Sequence, residues 1–379
     1  MDSSKNISSK IIISAVNFSE GGPLTILDNA IEHLINQKND DTELVALVHS
    51  KNKLQHHKGI RFIELPWVKK SWINRIFFEY FKSYQLSLKL KPNVWICLHD
   101  MTANVSSDFR YVYCHNPSIF YKGPFRQYFF DMSFFLFKNL YHLIYRININ
   151  KNDWVFVQQD WMRKEFKKLF PKAKIAVSQP IQTIKESSQS SFNHAKNTGP
   201  YCIFYPTFPR TFKNIEILIE ALNLIEDQGF SKQEICLNLT INGRENRYAR
   251  NIFNMARGNS LINFLGLQNK EEMNDLYSNC DLVVFPSYLE TWGLPISEAK
   301  EYKKELMLAD LPYAYEAIGE YNKCLFFNPG DANELSSKII KAYRNENIFY
   351  QTKSKNYDYP YLENWEKTIN FILKESKLI

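Results

Sequence analysis

The chain has 379 residues and a formal net charge of +7, and its residues are 45% hydrophobic and 15% aromatic. This length exceeds one ordinary hydrophobic core and suits two α/β domains of roughly 150–200 residues each. The apolar content excludes a disordered chain. The basic excess is compatible with an anionic small molecule, an anionic membrane face or nucleic acid, and it does not choose among them.

Cysteine usage and the N-terminal residues indicate the compartment. The six cysteines are scattered and form no C-x-x-C pair, which favours reduced core thiols over a zinc ribbon. The polar stretch "MDSSKNISSK" does not have the layout of a signal peptide. The longest apolar run, near residues 128–137, is short of the roughly 20 residues that span a bilayer. We therefore expect a cytoplasmic protein that can touch the inner face of a membrane.

Strands and helices alternate through the first half of the chain. Short runs rich in β-branched and aromatic residues predict buried strands at 10–16, 43–49, 93–98, 110–114 and 154–158. Between the first two, apolar residues at Leu24, Leu27, Ile31 and Leu34 have helical spacing. This alternation predicts a mainly parallel sheet with helices on both faces.

A polar, Ser-rich stretch at 181–200 interrupts this pattern and is the best linker candidate. We expect an N-terminal domain at 1–185, a linker at 186–199 and a second domain at 200–357. In the latter, strands are predicted at 201–206, 234–241, 262–266, 281–287, 305–309 and 324–329, with a helix from about Asn214. The amphipathic residues 358–379 form either a helix that packs back on the first domain or the last helix of the second.

The most informative stretch is "ETWGLPISEA" at 290–299, directly after the predicted strand "DLVVFPS". Pro295 suits the first turn of a helix, so Glu290 lies in the loop after the strand and Glu298 about one turn inside the helix. Gly293 allows the backbone to approach a ligand closely. A helix N-terminus can hold a phosphate, and the two carboxylates beside it can accept hydrogen bonds from the hydroxyls of a sugar or ribose. Alternatively, Glu298 only interacts favourably with the helix dipole in the first turn, and Glu290 is a solvated acid in the loop.

This stretch resembles the signature of the family-4 retaining glycosyltransferases, in which seven residues separate the two glutamates. The strand before it, "FLG" at 264–266 and "LFFNPGDANELSSKI" at 325–339 extend the resemblance over most of the chain. The resemblance implies the GT-B fold: two Rossmann-like, doubly wound α/β domains that face each other across a cleft. It also implies a nucleotide-sugar site in the C-terminal domain.

The same resemblance implies roles for individual residues in donor binding. Glu298 would accept hydrogen bonds from ribose hydroxyls, and Glu290 would lie at the donor sugar, as a positioning group or as a nucleophile. The glycines of "FSEGGP" would face the diphosphate, and the "FLG" end would lie near the base. The full set of expected donor-binding residues is Gly21, Gly22, Gly243, Gly266, Thr291, Trp292, Gly293, Leu294 and Glu298.

The expected catalytic residues are His115, Glu290, Lys213 and Arg210. His115, in "YVYCHNP", resembles the family's histidine at the end of a first-domain strand. The cations Arg210 and Lys213 resemble the pair that neutralises the leaving diphosphate, although here they are only three residues apart. Asp100 is assigned from location alone, and an acceptor contact and a turn role are equally open for it.

Residues 65–91 combine seven aromatic side chains with six basic residues and one acid. Such a segment can lie on an anionic membrane, or it can be a core helix with solvated lysines. No nucleic-acid-binding motif is present, so we expect no nucleic-acid partner.

The sequence thus predicts a retaining, metal-independent glycosyltransferase without a cofactor. It would move a sugar from a UDP- or GDP-sugar to a hydroxyl of a glycan acceptor in bacterial surface polysaccharide (O-antigen or capsule) biosynthesis, and the acceptor is expected to be polyprenyl-diphosphate-linked. The alternative is a catalytically inactive GT-B-like scaffold of a glycan assembly complex.

Overall fold

The computed structural model describes residues 8–124, 130–180 and 199–379. These form two compact units. The first comprises Met1–Asn116, Leu140–Lys185 and Tyr357–Ile379, and the second comprises Pro117–Asn139 and Glu186–Asn356. Most of the linker expected at 186–199 lies outside the described residues.

The strands follow the predicted alternation. In chain order they are β1 (Ser9–Ala15), β2 (Thr42–Val48), β3 (Ile60–Glu64), β4 (Val94–Cys97), β5 (Phe109–Cys114), β6 (Trp154–Val157), β7 (Ile175–Ser178), β8 (Tyr201–Tyr205), β9 (Ile235–Leu239), β10 (Ile262–Phe264), β11 (Leu282–Phe285), β12 (Glu305–Ala309), β13 (Tyr321–Phe327), β14 (Tyr350–Thr352) and β15 (Tyr361–Leu362). Every strand predicted from an apolar run is present, and each of its ends lies within three residues of the predicted one.

The helices lie between these strands. They are α1 (Gly21–Gln37), α2 (Trp72–Phe77), α3 (Ser83–Leu90), α4 (Met132–Arg146), α5 (Asp160–Leu169), α6 (Ile215–Asp227), α7 (Arg247–Met255), α8 (Lys270–Asn279), α9 (Leu294–Glu301), α10 (Pro312–Ile318), α11 (Ala332–Tyr343) and α12 (Trp365–Glu375). A π-helical stretch, Phe78–Lys82, joins α2 to α3. None of the described helices is both long enough and apolar enough to cross a membrane.

Each unit contains one sheet of doubly wound topology. The first has the order β15-β7-β6-β5-β4-β1-β2-β3 and the second the order β10-β9-β8-β11-β12-β13-β14. All neighbours pair in parallel except β13 and β14. The strand order reverses between β1 and β4 in the first sheet and between β8 and β11 in the second. In open α/β sheets, the carboxyl ends of the strands at such a reversal are where ligands bind.

The C-terminal helix α12 packs on the first unit. Its buried face, Trp365, Ile369 and Ile372, belongs to the same apolar core as Ile11 of β1 and Leu27 of α1. The sequence left open whether this helix packs on the first domain or ends the second, and in the structure it packs on the first unit. The apolar stripe of α12 explains this choice, since it supplies one side of that core.

Residues 117–139 group with the second unit, whereas the sequence analysis placed them in the first domain. Aromatic packing gives the physical reason. The ring of Phe134 lies 5.3 Å from that of Phe212, and the ring of Tyr121 lies 6.3 Å from that of Tyr288. Helix α4 begins in this segment and continues into the first unit.

Candidate active site

An ion pair lies at the strand reversal of the second sheet. Lys213, after β8, donates to the carboxylate of Glu290, after β11, with Nζ 2.6 Å from Oε1. Both side chains are mostly buried, at 17% and 12% exposure. The fold therefore brings together two residues that are 77 positions apart and that the sequence analysis selected independently. A partly desolvated ion pair of this kind is strong but remains reachable from solvent.

Asn214 fixes the backbone on which Lys213 stands. Its φ of 52° is left-handed, a conformation that asparagine tolerates better than most residues. The Asn214 amide donates to the carbonyls of Pro286 (3.2 Å) and Pro329 (2.8 Å), and the Tyr205 hydroxyl donates to the Lys213 carbonyl at 2.9 Å. These bonds tie the loops after β8, β11 and β13 together. Sequence analysis did not single out Asn214, although an asparagine just before a helix was a usable signal.

The loop between Glu290 and α9 is rigid at Trp292 and Gly293. The Trp292 indole is 4% exposed and donates to the Ser297 hydroxyl at 3.1 Å. Gly293 has φ +83°, and a Cβ there would lie 3.1 Å from Ile296, so only glycine fits without strain. Helix α9 then begins at Leu294 with no side-chain cap and no acid in its first turn. Pro295 has no N–H and the Ile296 N–H donates to the Gly293 carbonyl at 2.8 Å, so the helix start offers an anion its positive dipole end and the Leu294 N–H.

Glu298 lies on α9, as the sequence predicted, and is oriented by Tyr277 of α8. The Tyr277 hydroxyl donates to Oε2 of Glu298 at 2.6 Å. Burial, and then the nearby Glu298 charge, hold the pKa of Tyr277 well above its usual value, so this phenol remains a donor at neutral pH. The Tyr302 ring stacks on Tyr277 at 5.3 Å. No sequence motif marked Tyr277, because its pairing with Glu298 arises from helix packing.

The other expected residues of the second unit have different surroundings. Arg210 is half exposed and pairs with Asp131 at 3.2 Å, so the two predicted cations contact different carboxylates. Gly243 has φ +83°, and a Cβ would lie 2.8 Å from Phe253, which gives this glycine a packing reason. Gly266 also has a left-handed φ, of +75°, after β10.

The first unit contributes a dense hydrogen-bond network around Asp100, which follows β4 and is 6% exposed. Its carboxylate accepts from the backbone N–H groups of His115 (2.6 Å) and Asn116 (2.9 Å), and from the hydroxyls of Tyr145 (3.0 Å) and Tyr141 (3.3 Å). His115 Nε2 also lies 3.3 Å from Oδ2. A carboxylate offers about four lone-pair sites, so Asp100 is saturated. The structural role that the sequence left open for Asp100 is therefore observed, whereas its contact with a glycan acceptor stays a prediction.

His115 is held at the end of β5 by this network. Its side chain is 17% exposed, and its ring packs edge-on against Phe18 at 5.4 Å. Phe18 opens the loop that leads to Gly21 and Gly22 at the start of α1. A Cβ at either glycine would have no neighbour within 4 Å, so their surroundings are open. The first unit thus gathers His115 and this glycine loop at the carboxyl edge of its sheet.

A fully buried pair, Glu79 and His99, lies behind Asp100. His99 Nε2 is 3.3 Å from Glu79 Oε1, with both side chains at 0% exposure, and the Arg75 guanidinium donates to the His99 carbonyl at 2.6 Å. Burial raises the pKa of Glu79 to about 8, although the Arg75 charge opposes it. Burial also lowers the pKa of His99 well below its usual value. Both groups are therefore uncharged at neutral pH, and the sequence analysis selected neither.

Among the described residues, the His, Cys, Asp and Glu side chains form one group with metal-binding spacing, and it lies outside this site. The candidate site of the second unit instead offers a lysine, the N-terminus of α9 and two partly exposed glutamates, while His115 belongs to the first unit. Such a set can hold a phosphate by charge and N–H groups and can accept hydrogen bonds from hydroxyls. These are the two needs of a nucleotide-linked sugar.

The family model "Glycosyl transferases group 1" matches residues 186–358, which include every second-unit residue described above apart from Tyr121, Asp131 and Phe134. Two curated relatives match shorter stretches. The chain is 27% identical over 143 residues (38% of this chain, 17% of the relative) to the serotype-specific mannosyltransferase WbdA of Escherichia coli. It is 30% identical over 87 residues (23% of each) to the N,N'-diacetylbacillosaminyl-diphospho-undecaprenol alpha-1,3-N-acetylgalactosaminyltransferase of Campylobacter jejuni. The chain thus spans under a quarter of the length of these relatives.

Solved structures resemble the chain over nearly its full length. Sucrose-phosphate synthase from Thermosynechococcus elongatus matches with a TM-score of 0.63 at 14% identity, covering 97% of this chain and 94% of that one. Anabaena Alr3699/HepE in complex with UDP-glucose matches with a TM-score of 0.60 at 14% identity, covering 97% and 95%. At such identity the likeness establishes the fold. The chain therefore has the GT-B fold, and its residues 186–358 match the glycosyl transferases group 1 family model.

Proposed function

We propose that this protein is a retaining glycosyltransferase that uses a nucleoside-diphosphate sugar, UDP- or GDP-linked. In the reaction, the bond between the sugar's anomeric carbon and the diphosphate oxygen breaks. An acceptor hydroxyl oxygen bonds to that carbon on the same face, and the hydroxyl proton passes to the departing diphosphate. The overall exchange needs neither an oxidant nor a cofactor.

The Lys213–Glu290 ion pair beside the start of α9 is the observation that carries this proposal. An incoming diphosphate competes with Glu290 for the Lys213 ammonium and also meets the positive dipole end of α9 and its Leu294 N–H. Lys213 then stabilises the charge that develops on the leaving group, and the freed carboxylate of Glu290 can turn to the sugar hydroxyls. These groups supply positive charge without a metal ion, so we propose metal-independent transfer. A metal chelator should leave the rate of sugar transfer unchanged at temperatures well below the melting temperature, where the protein stays folded.

Glu298 fits the role of ribose ligand. Tyr277 holds one carboxylate oxygen at 2.6 Å, which leaves the other oxygen for a diol. Lying one turn into α9, Glu298 stands about 6 Å along the helix from the N-terminal N–H groups. This separation suits a ribose that is joined to a phosphate at the helix start.

His115 is proposed to act on the donor sugar. The Asp100 network fixes its backbone and ring, so the imidazole is held in place before any substrate arrives. A hydrogen bond from the ring to a sugar hydroxyl would strengthen as positive charge develops on the sugar ring. Whether Glu290 only positions the sugar or forms a transient covalent bond is decided by trapping an intermediate, and the product anomer, read by NMR, tests retention.

Donor binding provides the primary test, by thermal shift against UDP, GDP, UDP-glucose, UDP-N-acetylglucosamine and GDP-mannose. We expect one nucleotide class to raise the melting temperature of the wild type. Glu298→Ala should weaken that binding at least tenfold, whereas Glu301→Ala, an exposed acid three residues along α9, should not. Normal donor binding and turnover by Glu298→Ala would overturn the assignment.

Slow donor hydrolysis separates an enzyme from an inactive scaffold of the same fold. A glycosyltransferase that binds its donor transfers some sugar to water, and Lys213→Ala should abolish this release. A protein that binds the nucleotide tightly but releases no sugar, with or without a panel of glycan acceptors, would instead be the scaffold.

The first unit supports a lipid-linked glycan acceptor at a membrane face. Large apolar side chains stand exposed on and between α2 and α3, and those with the greatest exposure are Ile73 (79%), Phe81 (62%) and Leu88 (50%). Five lysines of residues 65–91 are exposed, while Glu79, the one acid of that segment, is buried. A basic surface with exposed aromatic and aliphatic groups suits an anionic bilayer. This extends the proposal to bacterial surface polysaccharide assembly at the cytoplasmic face of the inner membrane.

Vesicle sedimentation tests this contact. The protein should bind vesicles with 30% phosphatidylglycerol and much less to pure phosphatidylcholine. The double variant Ile73→Ser/Phe81→Ser should lose most of that binding. The control, Phe208→Ser, removes an aromatic group of similar exposure (58%) from the second unit. Equal binding by the double variant and the control would remove the membrane from the proposal.

A further inference from the structure

Three residues of the first unit that are not among the candidate active-site residues converge on one point. Asp28 lies on α1, and His56 and His57 lie in the turns after β2. Asp28 Oδ1 is 2.8 Å from His57 Nε2 and 3.1 Å from His56 Nε2. The ligand atoms of all three residues lie within 4.8 Å of one another.

We propose that Asp28, His56 and His57 form a binding site for a divalent transition metal ion such as zinc. In a tetrahedral zinc site, bonds of about 2.0–2.1 Å place neighbouring ligand atoms about 3.3 Å apart. The two distances from Asp28 Oδ1 are within a few tenths of an ångström of that separation. Small side-chain rotations would thus open room for the ion at the point where the three atoms meet.

The ligand chemistry favours zinc, nickel or copper over magnesium or calcium. Two imidazole nitrogens and one carboxylate oxygen are typical ligands of the former, whereas the latter prefer all-oxygen shells. His56 is 59% exposed and Asp28 36%, so water can occupy the remaining coordination position. The carboxylate offsets one of the two ionic charges, as in other three-ligand sites.

The turn that carries both histidines is anchored before any ion binds. Leu54 is 1% exposed and sits in the core that also contains α1 residues. Its carbonyl accepts from the His57 backbone N–H at 3.1 Å, and the two imidazole rings lie 4.1 Å apart. A bound ion would clamp this turn to α1, the helix that begins at Gly21 and Gly22. The site shares no residue with the active site proposed above. Because the ion would join this turn to α1, the role that we propose for it is structural.

Cobalt(II) and zinc titrations of the tag-free protein test the site. Cobalt should give visible d–d absorption at one ion per chain, without the intense thiolate charge-transfer band that binding to the cysteines would give. Zinc should raise the melting temperature and displace the cobalt. His56→Ala, Asp28→Asn and His57→Ala should each weaken binding at least tenfold, while His33→Ala, on the same helix but outside the cluster, should bind as the wild type does.

The outcome does not depend on glycosyl transfer. His56 is mostly exposed, so His56→Ala should keep the metal-free melting temperature and give a clean reading of lost metal binding. Absence of cobalt absorption at a hundred micromolar ion, or equal binding by His56→Ala and the wild type, would overturn the proposal. Asp28 and the histidines would then be a hydrogen-bonded contact between the turn and α1.

Discussion

The two units use their acidic side chains in opposite ways at equivalent edges of their sheets. In the first unit, Asp100 is saturated with donors and Glu79 is buried and uncharged. In the second, Glu290 and Glu298 are partly exposed, and each has one hydrogen-bonding side-chain partner among the described residues. Saturated groups stiffen a fold, whereas groups with spare acceptor sites can exchange a protein partner for a ligand. These acids of the first unit therefore have a structural role, whereas those of the second unit remain available to bind a ligand.

The largest expected effect is on stability, at Asp100. Asp100→Ala removes an acceptor from two backbone N–H groups and two tyrosine hydroxyls, although the Tyr145 hydroxyl keeps the Asn116 carbonyl. It also puts alanine at a φ of 70°, and together these changes should cost about 3–5 kcal/mol of unfolding free energy. Urea unfolding measures this. Asp310→Ala, after β12, is the matched control, because this exposed acid has one tyrosine hydroxyl partner and should cost under about 1 kcal/mol. Equal costs would contradict the scaffold role of Asp100.

Lys213→Ala should have the opposite profile, with a large effect on function. Loss of one charged group at the leaving diphosphate should lower kcat/KM by about 100- to 1,000-fold, measured by donor hydrolysis or transfer. The free energy of unfolding should change far less than for Asp100→Ala, because Glu290 keeps access to water. Lys213→Arg should restore part of the rate. If Lys213→Ala unfolded readily but turned over donor normally, Lys213 would have a structural role, and the proposed difference between the two units would be wrong.

Glu79→Gln should change how stability depends on pH. The folded protein holds the Glu79 proton up to about pH 8, while the unfolded chain releases it near its usual value. Stability therefore falls as pH rises through this window. Between pH 6.5 and 8.5 the wild type should lose about 2 kcal/mol relative to Glu79→Gln. The buried, neutral His99 affects the pH dependence of stability only at lower pH, because burial lowers its pKa well below the usual value.

The exposed control Glu346→Gln should keep the wild-type pH slope over the same range, measured by urea unfolding at both pH values. An identical slope in Glu79→Gln and the wild type would mean that Glu79 is ionised in the folded protein. It would then be an uncompensated charge rather than an inert part of the scaffold.

Tyr277→Phe should have the smallest effect. It removes the hydroxyl that orients Glu298, and a hydrogen bond of this kind contributes about 1 kcal/mol, so donor affinity should fall roughly fivefold. Isothermal titration with the nucleotide identified by thermal shift measures this. Tyr315→Phe removes an equivalent bond to Asp310 elsewhere in the second unit and should leave affinity unchanged. Equal affinities for both variants would show that Glu298 needs no orientation.

Most strands were predictable because their apolar runs are continuous and buried on both faces. Three of the strands that were not predicted lack this signal. The edge strand β3 (Ile60–Glu64) is half exposed along its length, and β14 and β15 have three and two residues. The pairing of these three is decided by the neighbouring strand rather than by their own composition. The fourth, β7 (Ile175–Ser178), is buried throughout, and its short apolar run was a usable signal.

The sequence by itself determined the strand–helix alternation and the motif that contains Glu290 and Glu298, because these depend on local spacing and on turn residues such as Gly293 and Pro295. The GT-B expectation came from the resemblance of that motif and its surroundings to a known family. Only the tertiary structure decided which groups meet. It paired Lys213 with Glu290 and Tyr277 with Glu298, saturated Asp100, and buried Glu79 against His99. These contacts join residues 15 to 77 positions apart, and such distances in space follow from strand order and helix packing, which no local pattern encodes.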